Sequence, residues 1–297
     1  MAEAAVIKRA LLFVNPKKPE APALAEDIRG VLRGYGIEAL SPEEGLAPGE
    51  ADLAFSLGGD GTVLYAVRTV AFREIPVFPV NAGSLGFIAV IRPEEWREVF
   101  ESYLEGRLKV SRRLMLDITV EREGVPVFSA SCLNDGVISA SGIAKLLRLG
   151  VECLAGGGLA GEGLAGGRER IALGRYRSDG LIVATPTGST AYSVAAGGPI
   201  LDPEIDALII NPICPFTLSN RPIVVPARET VIIDVEEEQR SALMLTVDGQ
   251  VSLPLEPGDK VLFRRSAHDA RLAASPRQGF YRALQSKLNW SGGGPHA

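Results

Sequence analysis

The chain has 297 residues, 46% of them hydrophobic and 23% charged, with a formal net charge of −5. That length suits one large or two ordinary soluble domains. An acidic balance with no basic block excludes the electrostatic footprint of a nucleic-acid binder, and no apolar run reaches the length that spans a membrane.

In chain order, Ala10 to Val14 is a predicted strand, too short for a signal-peptide core and stopped at once by Asn15-Pro16. Pro22 to Tyr35 has amphipathic helical spacing with its proline in the tolerant first turn, and Gly36 to Leu40 is a short strand. Asp52 to Leu57 reads as a buried strand, and Thr62 to Val70 as a helix with Thr62 at its N-cap. Between them, Gly58-Gly59-Asp60-Gly61-Thr62 sets one carboxylate among three glycines. Glycines let a backbone approach a ligand closely, and a helix N-terminus favours a pyrophosphate. An acid repels phosphate, so Asp60 is either a magnesium ligand or a base for an attacking hydroxyl, unless the turn is purely structural. Ile75 to Val80 follows as a strand, Asn81 to Phe87 as a second glycine-bearing loop, and Pro93-Glu94-Glu95-Trp96 as a helix start. Strand and helix in alternation imply a parallel sheet whose ligands bind beyond the carboxyl ends of its strands.

From about Ser111 the pattern turns to β. Leu116 to Glu121 alternates, Val125 to Phe128 begins a return strand, and further strands are expected at 180–184, 207–211, 231–235, 243–247 and 260–264. Asn134-Asp135-Gly136 is either an Asx turn or an amide and acid for adenine and ribose. Thr185 to Tyr192 crowds four hydroxyls and a phenol into eight residues, more than a capping loop needs, although Ser189 or Thr190 can cap a helix near Ala191. Three Leu-Ala-Gly pentads at 154–168 read as a glycine-dense mobile hairpin loop or, more sharply, as a flap over the ligand or a subunit contact. Phe280 to Trp290 turns helical again and is expected to dock elsewhere, with a frayed glycine-rich end. Cys132, Cys153 and Cys214 form no C-x-x-C pair and the two histidines lie far from them, so neither a zinc site nor a disulfide framework is expected, and a reducing cytoplasm is.

Taken together, Gly58 to Thr62, Asn134-Asp135, Asp179-Gly180 and Thr187 to Tyr192 through Gly197-Gly198-Pro199 resemble the NAD kinases. The similarity continues through Asn211 to Pro215, Leu218 to Pro222, Asp248-Gly249-Gln250 and Ser286-Lys287-Leu288, and covers most of the chain outside the pentads. The glycine turn alone is shared with diacylglycerol and sphingosine lipid kinases and, more loosely, with phosphofructokinases.

The resemblance implies transfer of the γ-phosphate of ATP, or of polyphosphate, to the 2′-hydroxyl of the adenosine ribose of NAD. It implies a Rossmann-like α/β domain at 1–110, an NAD-binding β-sandwich at 111–265, and a tail at 266–297 returning to the first domain. Asp60 is then the base, with Gly58, Gly59, Gly61 and Thr62 at the phosphates. Asn134 and Asp135 hold adenine and ribose, Phe87, Thr187, Thr190, Ala191 and Tyr192 match positions lining the dinucleotide pocket, and Asp179 matches an acid near the nicotinamide. Magnesium is expected with the nucleotide, and the chain is expected as a homodimer or homotetramer that engages neither nucleic acid nor membrane. Ala195 replaces a usual serine near the nicotinamide end, Phe216 a usual histidine, and Asp135 the more frequent glutamate. A lipid kinase or a non-catalytic NAD sensor are the competing readings.

Overall fold

The computed structural model describes residues 7–45, 47–83, 86–142, 146–155, 169–217, 219–273 and 276–288. They divide into two units, one made of the chain up to Arg112 together with the part from Ala270 onward, the other of Arg113–Asp269.

The first unit contains β1 (Arg9–Val14), α1 (Ala21–Gly34), β2 (Glu38–Leu40), β3 (Leu53–Gly58), α2 (Asp60–Val70), β4 (Pro76–Asn81), α3 (Trp96–Leu104) and, at its boundary, β5 (Ser111–Arg113). Its sheet runs β2-β1-β3-β4, each pair parallel, and is then extended by a strand from the far end of the chain. β1 and β3 are almost wholly buried, which is why they read as continuous apolar runs and not as alternating ones. α1 turns Ala21, Ala25, Ile28 and Leu32 inward at helical spacing. Phe55 and Phe78 stack at 4.7 Å from neighbouring strands, with Trp96 and Phe100 of α3 edge-on or tilted against Phe55. Burying each such ring contributes roughly 1.5–3 kcal/mol.

Two helix starts differ from expectation. α2 begins at Asp60 with Gly59 as N-cap, so Thr62 lies inside the first turn and caps nothing. Pro93 to Glu95 form a turn, and α3 begins only at Trp96, whose indole N–H donates to Asp27 at 3.2 Å.

The second unit is built from β6 (Leu116–Arg122), β7 (Val125–Cys132), β8 (Asp135–Ser141), β9 (Leu147–Leu154), β10 (Arg170–Ser178), β11 (Gly180–Ala184), a single turn α4 (Tyr192–Ala195), β12 (Ala207–Ile213), β13 (Ile223–Pro226), β14 (Thr230–Val235), β15 (Ala242–Val247), β16 (Val251–Leu255) and β17 (Lys260–Arg265). Two six-stranded sheets result, ordered β10-β9-β14-β17-β6-β7 and β13-β12-β11-β8-β15-β16. Every pairing within them is antiparallel. Leu116, Ile118 and Phe263 from the first sheet share one core with Ile138, Leu181, Leu208 and Leu245 from the second, which makes the unit a β-sandwich. Most of the pentads, 156–168, lie outside the described residues. The strands flanking them, β9 and β10, pair antiparallel and are joined by Ala155 N–H to Glu169 O at 3.0 Å.

The chain then adds β18 (Ala270–Leu272), parallel to β4, and α5 (Pro276–Leu288) to the first unit. The predicted helix end at Asn289 and Trp290 falls outside the described residues. Among the described residues no helix is long and apolar enough to cross a membrane.

Candidate active site

In the first unit, three loops leave the sheet at one level. Asn15 N–H donates to Leu57 O at 3.0 Å and Ala82 N–H to Gly58 O at 2.8 Å, so the segments after β1, β3 and β4 lie side by side at the carboxyl edge. Gly58 is buried there. A Cβ on it would stand 2.2 Å from Thr62 Oγ1 and 3.0 Å from Asn15 Cβ, so its part in the turn is close packing of helix on strand. Gly59 has nothing within 4 Å of that position and Gly61 is exposed. Thr62 Oγ1 accepts from Asn15 Nδ2 at 3.4 Å.

Asp60 sits half-buried at the first position of α2. Its Oδ2 accepts from Phe87 N–H at 2.9 Å, and its Oδ1 from Ile88 N–H at 3.0 Å and Ala89 N–H at 2.8 Å. The fit is close enough that a Cβ on Gly86 would lie 1.9 Å from Asp60 Oδ1. A carboxylate offers about four acceptor positions, and one on Oδ2 remains. The three N–H donors fill the rest of the carboxylate, so this Oδ2 position is the one a substrate hydroxyl or a cation can reach. Phe87 therefore holds Asp60 through its backbone, while Lys287 Nζ of α5 lies 4.7 Å from the centre of its ring.

In the second unit the organising residue is Asp248, buried in the β15–β16 turn with φ +50°. Its carboxylate accepts from Leu133 N–H at 3.0 Å, Asn134 N–H at 2.8 Å and Asp135 N–H at 3.2 Å, and its own N–H donates to Asp135 O at 2.9 Å. This clasp sets Asn134 and Asp135 at the start of β8, where the sequence left an Asx turn open. Beside them is a cleft of about 300 Å³ lined by Asn134, Asp135, Val137, Ser139, Ala191, Tyr192, Thr246, Asp248 and Gly249. Asn134 Oδ1 is buried without a hydrogen-bond partner, and Tyr192 is 47% exposed at the cleft. Burial, and secondly the negative charge of Asp248, push the Asp135 carboxyl up to about 7.

Most of the hydroxyl-rich segment serves its own fold. Thr185 Oγ1 donates to Leu133 O at 2.5 Å and accepts from Gly188 N–H at 3.0 Å, Ser189 Oγ donates to Pro186 O at 2.6 Å, and Thr190 Oγ1 donates to Thr187 O at 3.3 Å. Neither Ser189 nor Thr190 caps the short α4, whose N-cap is Ala191 with no side-chain bond. Thr187 Oγ1 differs in being buried without a partner. A Cβ on Gly188 would stand 2.1 Å from Asn134 O, so the segment lies tight against the residue that lines the cleft.

Thus Asn134, Asp135, Ala191 and Tyr192 meet at one cleft. Thr187 and Thr190 are buried outside its lining, and Asp179 is half-buried between β10 and β11, also outside it. Asp60, Phe87 and the glycine turn belong to the first unit. The part played by Asp248 was not read from the sequence; an aspartate before glycine in a tight turn was the available signal, and its amide partners are 113 to 115 residues away. Among the described residues no group of three or more His, Cys, Asp or Glu is placed to hold a metal ion.

The chain matches the ATP-NAD kinase N-terminal domain over residues 44–108 and the ATP-NAD kinase C-terminal domain over 164–275. It is 38% identical to an NAD kinase of Treponema denticola over 96% of this chain and 98% of that protein, and 37% identical to one of Geobacter sulfurreducens over 96% and 99%. Two solved structures share the fold. One is yeast NADH kinase complexed with NADH, with TM-score 0.84, 21% identity, and coverage of 99% of this chain and 90% of that one. The other is an Archaeoglobus fulgidus NAD kinase in complex with ATP, with TM-score 0.72, 23% identity, and coverage of 95% and 99%.

Proposed function

The chain belongs to the NAD kinase family, and from that premise we propose how its residues move a phosphoryl group from ATP to the 2′-hydroxyl of the adenosine ribose of NAD, giving NADP. The observation that carries the scheme is the state of Asp60: an acid at the head of a glycine turn, anchored by three amides, with one acceptor position left on Oδ2. That position takes the ribose hydroxyl proton as its oxygen attacks phosphorus. A base held in place by its own loop needs no reorganisation at the moment of transfer. The turn around Gly59 and Gly61 offers the helix N-terminus to the donor's phosphates.

The adenosine end of NAD is assigned to the cleft of the second unit. Asn134 Oδ1, buried and lacking a partner, suits the adenine amino group, Asp135 the ribose hydroxyls, and Tyr192 the apolar face of the dinucleotide. Leaving the Asn134 oxygen unmet costs about 1–3 kcal/mol, which a ligand N–H recovers. Thr187 lies outside the cleft lining and is kept for the dinucleotide on family resemblance, its hydroxyl unmatched. Thr190 supports it by bonding to the Thr187 carbonyl. Asp179 is kept for the nicotinamide end on family resemblance alone.

Magnesium is assigned to the donor, as the ATP complex, since among the described residues no group of three or more His, Cys, Asp or Glu is placed to hold it separately. Assembly into dimers or tetramers and a cytoplasmic location belong to the same proposal; size-exclusion chromatography with light scattering reads the first. The test of function is NADP formation from NAD, ATP and magnesium, run beside NADH because Ala195 lacks the hydroxyl expected there. NADP production supports the scheme. Tight NAD binding without NADP would favour a sensor, and phosphorylation of a lipid alcohol would favour a lipid kinase.

A further inference from the structure

Lys18 is a cation of the first unit that this scheme leaves idle. Lys18 ends the turn after β1, its N–H donating to Asn15 O at 3.1 Å. It is half-buried, and its stem runs along Gly83: a Cβ there would lie 3.0 Å from Lys18 Nζ, 3.6 Å from Cε and 3.8 Å from Cδ. No acidic side chain pairs with it among the described residues. With no acid paired to it, the Lys18 ammonium can meet an anionic ligand without breaking an ion pair.

Its position says which anion. The loops after β1, β3 and β4 leave the sheet at one level, and they carry Lys18, the glycine turn and Gly83 respectively. The neighbouring cleft of about 420 Å³ at Asn81 and Gly83 suits a polyanion less well, since Arg92 is outnumbered there by Glu20 and Glu94.

We infer that Lys18 binds the phosphate chain of the phosphoryl donor beside the glycine turn. Gly83 keeps the approach open, being both without a side chain and at φ +155°. The inference rests on the kinase reading above, with the ammonium acting as a point charge on a non-transferred or γ-phosphate oxygen.

The test is steady-state kinetics of the full chain with ATP and NAD varied separately. Lys18→Gln is expected to raise the KM for magnesium-ATP roughly tenfold to a hundredfold, the scale of one hydrogen bond to a charged group, while the KM for NAD stays within about twofold. Lys18→Arg, which keeps the charge, is expected to restore the ATP KM to within about fivefold of the unmodified chain. An unchanged ATP KM in Lys18→Gln overturns the inference, as does an equal rise in both KM values, which marks a structural role. An unmodified chain that makes no NADP removes the kinase reading itself, and is told apart because it fails before any variant is compared.

Discussion

Asp60 and Asp135 place the same side chain in two contrasting environments. Asp60 is wrapped by amides of a loop 27 to 29 residues later in the chain, and Gly86 must lack a side chain for that wrap to close. Gly86→Ala should therefore displace the carboxylate and lower kcat by on the order of tenfold to a hundredfold, the cost of an ångström-scale misplacement. NAD affinity, read by titration, should be unaffected. Asp135 titrates near 7 in the fold against an ordinary 3.8. Between those values the folded chain holds a proton that the unfolded chain has released, so Asp135 adds stability below about pH 4 and that contribution is lost as pH rises through 7. Urea midpoints across this range should fall with pH less steeply in Asp135→Asn. Above 7 the ionised carboxylate accepts ribose hydroxyls more strongly, so the KM for NAD should drop between about pH 6 and 8 in the unmodified chain and stay flat in the variant.

At the scale of elements, the cleft depends on two close approaches, the Asp248 clasp on residues 133–135 and the contact of Gly188 with the Asn134 backbone. Gly188→Ala sets a Cβ against backbone atoms that cannot rotate away. It should cost about 1–3 kcal/mol by urea denaturation and raise the KM for NAD, whereas an ATP KM that rises alone would contradict this placement. The βα alternation around Gly58 was legible because buried parallel strands and amphipathic helices each leave a periodic trace. The helix start was not, because Asp60 is positioned by distant amides and Thr62 only resembled a cap. β9 was readable in principle, since its buried positions alternate from Leu147 to Cys153, but the adjoining glycine pentads hid it. The hydroxyls of Thr185, Ser189 and Thr190 suggested ligand contacts from density alone; only three-dimensional pairing shows that they close their own loop and that Thr187 does not.

For the whole molecule, the proposed reaction would draw a base and a phosphate-binding edge from the first unit, and an acid, an amide and a phenol at one cleft from the second. Family membership joins these into one reaction. The roles are separable: changes in the first unit should fall on kcat or on ATP, and changes in the second on NAD. The most direct test of its central claim, that Asp60 is the base, is to measure kcat for NADP formation and NAD affinity together in Asp60→Asn. The account predicts a loss of kcat of about 10²-fold or more, the scale of general-base removal, with NAD affinity essentially retained; a kcat close to that of the unmodified chain would contradict it.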